Sequence, residues 1–289
     1  MTATTRKQST QLKELFNRQG KPVVQVSAPT PSGAKLLEMA GYDYIFIGGD
    51  VTLVSMTGMA GMFMKLPDRL RIAKLFVQAV DLPVLMDADD MSSRGPEYVS
   101  QAVPKYINSG LSGIDMDDRL VKRRRNSSLV FRGGYYREPD TSDTISMEAM
   151  QEKIRAAVQA KAALDPDFII RARCYLLLTG TGSTQDVIRR FRAYREAGAD
   201  MLYVLGIESK EQLQEIINGV DAPVTAPAYW LSPEEAEEMG LRELRYPYEL
   251  AGAMYSGGWE HIQKVKSRGI EAIKEFKESN KDNPYVGYF

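Results

Sequence analysis

Three pairs of charged residues, each spaced i,i+2, stand at the ends of short apolar runs in this chain of 289 residues. Asp87-Ala88-Asp89 closes Leu82-Pro83-Val84-Leu85-Met86, and Asp115-Met116-Asp117-Asp118 closes Leu111-Ser112-Gly113-Ile114. The third pair, Arg171-Ala172-Arg173, ends Phe168-Ile169-Ile170. Side chains two apart share one face of an extended strand. Carboxylates from neighbouring strands repel each other unless a cation sits between them. Oxygen-only donors suit a hard ion such as magnesium, which keeps several waters and lets substrate oxygens complete its octahedron. A single strand-end Asp reads equally well as a turn former or a helix N-cap. Three pairs in the same position point instead to a metal-dependent enzyme acting on a small anion.

The elements that must position these pairs repeat regularly. Apolar runs of strand length occur at 23–26, 44–47, 84–86, 113–116, 168–173, 201–205, 223–226 and 244–246. Amphipathic stretches of helical period lie between them, at 34–40, 67–80, 97–108, 147–164, 185–197, 210–217 and 233–239, with a last one from 249 to about 277. Gly41, Gly110, Gly198 and Gly240 mark helix exits. Strand candidates each followed by a helix indicate an α/β protein, a (β/α)8 TIM-type barrel with an extra C-terminal helix. A doubly wound open sheet is the alternative, but no Gly-x-Gly-x-x-Gly turn follows an early strand. The charged pairs fall at C-terminal strand ends, where such barrels place their chemistry. A single domain over 1–289 is expected, with a helical lead-in at 1–20 and a C-terminal helix and tail at 248–289.

Composition narrows the function classes. A net charge of -1 and a hydrophobic fraction of 44% give no pull towards nucleic acid or an anionic membrane. One cysteine and one histidine exclude a disulfide framework and zinc sites of the His/Cys type. No apolar run approaches the roughly 20 residues needed to span a bilayer, and residues 1–10 are polar, so a cytoplasmic location is expected. Two connections are long: residues 48–66, rich in Met and Gly, and 119–145, which contains Lys122-Arg123-Arg124-Arg125 and reads as a lid over an anionic substrate.

These residues resemble the phosphoenolpyruvate mutase/isocitrate lyase superfamily from about Val23 to Tyr255. Residues 82–89 resemble its metal-binding strand, Ala172-Arg173 its substrate-binding arginine, and Ala193-Tyr194-Arg195-Glu196-Ala197-Gly198-Ala199-Asp200 its helix-to-strand passage. Leu66-Pro67-Asp68 is similar to its third-strand approach. Ile47-Gly48-Gly49-Asp50 and Gly206-Ile207-Glu208 look most like the oxaloacetate decarboxylase branch, whereas Asn126-Ser127-Ser128-Leu129 resembles the gating loop of the mutases and phosphonopyruvate hydrolases.

The resemblance implies a magnesium-dependent barrel (Mg2+, or Mn2+ in its place), a homo-oligomer of two or four subunits, and a last helix swapped between partners. It implies Asp87 as the direct metal ligand, with Asp89 and Asp117 holding metal-bound waters. Arg173, Asp50 and Asp117 are assigned to the catalytic centre. Gly48, Gly49, Asp50, Arg173, Arg125, Asn126 and Ser127 are assigned to a small 2-oxo acid substrate. The shared chemistry is an enolate, formed when a bond at C3 breaks and stabilised by the cation.

Departures from the family's pattern bear on the substrate. Asp90-Met91-Ser92-Ser93 stands where the family has a Gly-Tyr-Gly turn, and Asp117-Asp118 where it has Glu-Asp. No cysteine accompanies Lys122–Arg125, which counts against isocitrate-type cleavage, and Cys174 reads as packing. Tyr175 stands where an acidic or amide residue is common. The first reading is a magnesium-dependent C–C lyase of the oxaloacetate decarboxylase type. The second is a phosphonopyruvate-type mutase or hydrolase, and the third a barrel that has lost catalysis.

Overall fold

The computed structural model describes residues 7–58, 61, 64–120 and 143–285. Arg125, Asn126 and Ser127, with the expected lid around them, lie outside the described residues. Eight parallel strands form one sheet: β1 (Val23–Gln25), β2 (Ile45–Ile47), β3 (Val84–Asp87), β4 (Gly113–Asp117), β5 (Ile169–Cys174), β6 (Met201–Val204), β7 (Val224–Ala226) and β8 (Glu243–Arg245). The order β1-β8-β7-β6-β5-β4-β3-β2 curls into a nearly closed barrel. At the seam between β1 and β2 a parallel bridge joins Ser27 to Phe46, and Ala28 N–H donates to the Phe46 carbonyl at 3.2 Å. The barrel expectation is borne out, with every strand within one residue of the run read from the sequence.

Helices α1 (Gln8–Asn17), α2 (Pro31–Met39), α3 (Val51–Thr57), α4 (Leu66–Ala79), α5 (Pro96–Asn108), α6 (Met147–Ala162), α7 (Leu176–Thr179), α8 (Thr184–Glu196), α9 (Lys210–Asn218), α10 (Pro233–Glu238), α11 (Glu249–Arg268) and α12 (Ile270–Ser279) complete the chain. Ser146, Ser183, Ser209 and Ser232 start α6, α8, α9 and α10, each side chain accepting a hydrogen bond from the third backbone N–H of its helix. The apolar faces of these helices meet the outer face of the sheet in one large core.

Inside the barrel a second cluster fills the N-terminal end. Leu12 and Phe16 of α1 pack there on Val23, Tyr44, Phe46, Leu85, Ile169 and Met201. α1 is pinned by Ser9, which donates to Asp165 at 3.0 Å, and by Lys13, which pairs with Asp167 at 2.9 Å. This apolar plug closes one end of the barrel and leaves the other for polar residues.

Three local expectations are corrected. The segment 48–66 is not all loop, because α3 occupies Val51–Thr57. A further short helix, α7, follows β5 directly. The last helix is broken at Gly269, whose φ of 55° and ψ of -127° no helical residue adopts. Few residues of α11 and α12 are buried, while Tyr255, Trp259, Ile262, Ile270 and Phe276 are exposed. No helix among the described residues is long and apolar enough to cross a membrane.

Candidate active site

The inward side of the strands above the apolar plug is charged. Asp115 on β4 is its hub. Arg171 grips it with two hydrogen bonds, Nε to Oδ1 at 2.6 Å and Nη2 to Oδ2 at 3.0 Å. Arg173 Nη2 donates to Asp115 Oδ2 at 2.9 Å, and Arg245 Nη1 lies 3.6 Å from the same oxygen. Arg171 also pairs with Glu243 of β8, which accepts from Tyr44 Oη and from Thr225 Oγ1. Arg245 lies over the Phe46 ring at 3.9 Å and the Tyr203 ring at 4.9 Å. Burial opposes the Asp115 charge, but the guanidinium groups of Arg171, Arg173 and Arg245 outweigh it and hold this carboxyl below its ordinary value. Each buried acid therefore has a buried base beside it, which is the condition for keeping charge in a barrel interior.

Nearer the mouth, Arg173 turns from Asp115 to the expected metal residues. Its Nη2 donates to Asp87 Oδ2 at 2.9 Å and its Nη1 to the Tyr175 hydroxyl at 3.1 Å, while Nε has no hydrogen-bond partner among the described residues. Burial disfavours the Arg173 charge, yet Asp87 with its other neighbours raises its pKa well above the ordinary value. The cation is thus fixed at any working pH.

Asp87 ends β3, but Asp89 does not continue the strand. The chain bends at Ala88 and Asp89 opens a short 3-10 turn, so the spacing of two does not by itself align these carboxylates. Gly49 brings them together: a Cβ there would come within 2.5 Å of Asp89 Oδ2 and 3.1 Å of Asp87 Oδ2. Only glycine allows the backbone this close. Asp117 ends β4, with Oδ1 accepting from Arg119 N–H at 3.3 Å and Oδ2 lying 3.4 Å from Arg119 Nη2. Lys153 of α6 ties the two strand ends from behind, donating to the Ser92 carbonyl at 3.1 Å and the Asp117 carbonyl at 3.3 Å.

Of the residues expected to hold substrate, Gly49 N–H points at Asp87 Oδ2 at 3.4 Å. Gly48 N–H is taken by the Thr52 hydroxyl at 2.9 Å. Asp50, half-buried, sits at the N-cap position of α3. Burial, and after it the charge of Asp50, raises the Tyr248 pKa. Cys174 points away from the interior into the outer core, where burial keeps its thiol pKa well above the ordinary value.

Sequence reasoning singles out Asp115 and Arg171 within their pairs but gives them no role in the site, and it misses Arg69, Glu243 and Arg245. Glu243 and Arg245 carry the same i,i+2 signal as the other pairs, concealed because the last strand was read one residue late. Arg69, on an amphipathic helix, had no such signal.

The donor set suits a hard divalent cation. Among the described residues no three His, Cys, Asp or Glu side chains converge as a ready metal cage. Magnesium does not require one, because it is commonly bound through one or two carboxylates and retains waters. Asp87 and Asp89, approaching each other across Gly49, offer that chemistry, and Asp117 stands on the neighbouring strand.

A family model described as phosphoenolpyruvate phosphomutase matches residues 12–266. The chain belongs to this family. Relatives include 2-methylisocitrate lyase of Escherichia coli (strain K12), 30% identical over 210 residues, which are 71% of this chain and 64% of that protein. That match spans just under two thirds of the relative's length. Oxaloacetate decarboxylase of Ectopseudomonas mendocina (strain ymp) is 26% identical over 215 residues, 74% of this chain and 68% of that one. The crystal structure of phosphonopyruvate hydrolase in complex with oxalate and Mg++ aligns with a TM-score of 0.78 at 22% identity, covering 98% of both chains, a likeness of fold. The superfamily expected from the metal strand and the arginine strand is thereby borne out.

Proposed function

We propose that the protein is a divalent-metal-dependent carbon–carbon lyase that decarboxylates a small 2-oxo dicarboxylate of the oxaloacetate type. The observation that carries this reading is Arg173, a buried guanidinium 2.9 Å from Asp87 with its Nε unpaired among the described residues. A cation set beside a candidate metal carboxylate is what a 2-oxo acid needs, since its carboxylate and carbonyl oxygens must be held at once. Relatives named as lyases and as an oxaloacetate decarboxylase support the class.

In this reading Asp87 would hold Mg2+ (or Mn2+), and Asp89 and Asp117 would hold its waters. When bound, the cation supplies a Lewis acid for the 2-oxo oxygen. Arg173 exchanges part of its contact with Asp87 for the substrate carboxylate, a bidentate geometry that a lysine cannot reproduce. Gly49 N–H and Asp50 bind the other end, and Arg125, Asn126 and Ser127, outside the described residues, are assigned to the same substrate. The C3–C4 bond breaks, carbon dioxide leaves, and its electron pair delocalises onto the 2-oxo oxygen as an enolate. C3 then takes a proton from water. No residue need remove a proton to start this step, which suits a site without histidine or a free thiol. The exposed apolar side chains of α11 and α12 fit a homo-oligomer, in which a second copy covers them.

The test is turnover of oxaloacetate and of phosphonopyruvate, each with Mg2+ and with EDTA. Oxaloacetate loss that EDTA abolishes is the expected result. Turnover of phosphonopyruvate instead would move the reaction to the P–C bond. Silence on both, without metal binding, would leave a barrel that has lost catalysis.

A further inference from the structure

Arg69 lies in the first turns of α4, and its side chain is fully buried. Its Nη1 donates to the Asp87 carbonyl at 2.8 Å, its Nη2 pairs with Asp89 Oδ1, and its Nε lies 3.7 Å from Asp90 Oδ1. The guanidinium therefore sits beneath the strand end that carries Asp87 and the turn that carries Asp89. Asp90 is occupied from its other side, accepting from the Tyr98 hydroxyl at 2.8 Å and the Tyr106 hydroxyl at 2.7 Å. Arg69 is thus anchored by Asp90 and the Asp87 carbonyl and delivered to Asp89. Gly61 closes over the pair: a Cβ there would stand 2.8 Å from Asp89 Oδ2 and 2.9 Å from Arg69 Nη2.

We propose that Arg69 is a built-in counter-cation that cancels the charge of Asp89 and so weakens the hold of this site on a divalent ion. The inference rests on the metal reading above. An arginine does not lose its proton in a protein, so its charge is permanent at this position. A divalent ion approaching Asp87 and Asp89 meets one carboxylate already neutralised and a fixed positive charge behind it. Asp89 then offsets Arg69, and the pair together adds little to the attraction for the ion. A strut that merely held the turn would leave metal affinity falling, or unchanged, on its removal. A counter-cation makes affinity rise.

The experiment measures Mn2+ binding by electron paramagnetic resonance of the free ion, without substrate, in wild type, Arg69→Gln, Asp89→Asn, the double variant and Asp87→Asn. Folding of each is checked by circular dichroism and thermal unfolding. Arg69→Gln is expected to tighten Mn2+ by about tenfold or more, the scale of outer-shell effects on metal sites. Asp89→Asn is expected to weaken Mn2+ by about tenfold or more while Arg69 is present, because it leaves that charge uncancelled, and the double variant is expected to return to about the wild-type affinity. A folded Arg69→Gln protein with equal or weaker affinity overturns the proposal. So does an unchanged affinity on Asp89→Asn in the presence of Arg69, an arm that decides even where Arg69→Gln does not fold. If neither wild type nor Arg69→Gln binds Mn2+, the metal reading itself falls. Binding that Asp87→Asn abolishes but Arg69→Gln does not tighten removes only the role given to Arg69.

Discussion

Arg171 and Asp115, 56 residues apart in sequence, meet through two nearly parallel hydrogen bonds of 2.6 and 3.0 Å with both side chains sealed inside the barrel. Neither is a candidate ligand, yet Asp115 also receives Arg173, and so fixes the cation that faces Asp87. Asp115→Asn would leave buried guanidinium groups without their shared partner. It should cost about 3–5 kcal/mol of stability at neutral pH, read by urea unfolding.

The same residue makes a pH prediction. Its folded carboxyl is held below the ordinary value, so in acid the unfolded chain takes up the proton first. The stability it contributes is complete above the unfolded value of about 4, and is lost as pH falls from there through the depressed folded value. Unfolding at pH 7, 4 and 3 should show wild type losing more stability than Asp115→Asn over the acid limb. Equal losses would mean that other groups control acid unfolding.

Asp87→Asn keeps the shape of the strand end and removes the charge that both Arg173 and a cation would share. Calorimetry should find Mg2+ and Mn2+ binding lost, and metal-dependent turnover should be abolished. Unchanged turnover would sink the metal assignment.

Arg173→Lys retains a positive charge but not the fork that reaches Asp87, Asp115 and Tyr175 together. A rise in KM or a fall in kcat of about tenfold or more is expected from steady-state kinetics. Wild-type behaviour would place the substrate elsewhere.

Cys174 offers a test of the outer core. Burial raises its thiol pKa well above the ordinary value, so the native protein should resist iodoacetamide at pH 8 and react only on unfolding in urea. Fast alkylation of the native chain, followed by mass spectrometry, would show that the β5–α8 layer opens readily.

Trp259, on α11, is one of the most exposed large apolar side chains, at 63%. If a second copy covers it, Trp259→Glu should shift the mass measured by light scattering towards the monomer. The same mass in both proteins would place the subunit contact elsewhere.

Much of the site was legible because strand ends are local features. Asp87, Asp117 and Arg173 do lie at C-terminal strand ends, and the helix-exit glycines Gly41, Gly110, Gly198 and Gly240 all have positive φ. Three features escaped for different reasons. Asp89 left the strand because the backbone bends at Ala88. The Glu243–Arg245 pair escaped because the apolar run starts at Leu244, which leaves Glu243 outside the expected strand. Arg69 read as an ordinary charge on an amphipathic helix, since periodicity cannot tell a solvated arginine from one turned under a neighbouring loop.

By itself the sequence determined the barrel, because alternating strand and helix periods leave few other ways to bury both faces of a parallel sheet. It also determined that carboxylates and guanidinium groups would gather at one end. Only the tertiary structure decided which acid meets which base: Arg173 spans Asp87 and Asp115, Arg171 spans Asp115 and Glu243, and Arg69 takes Asp89. Local spacing sets the face on which a charge lies. Its partner and the strength of that pairing depend on how distant strands close into register and how completely they exclude water.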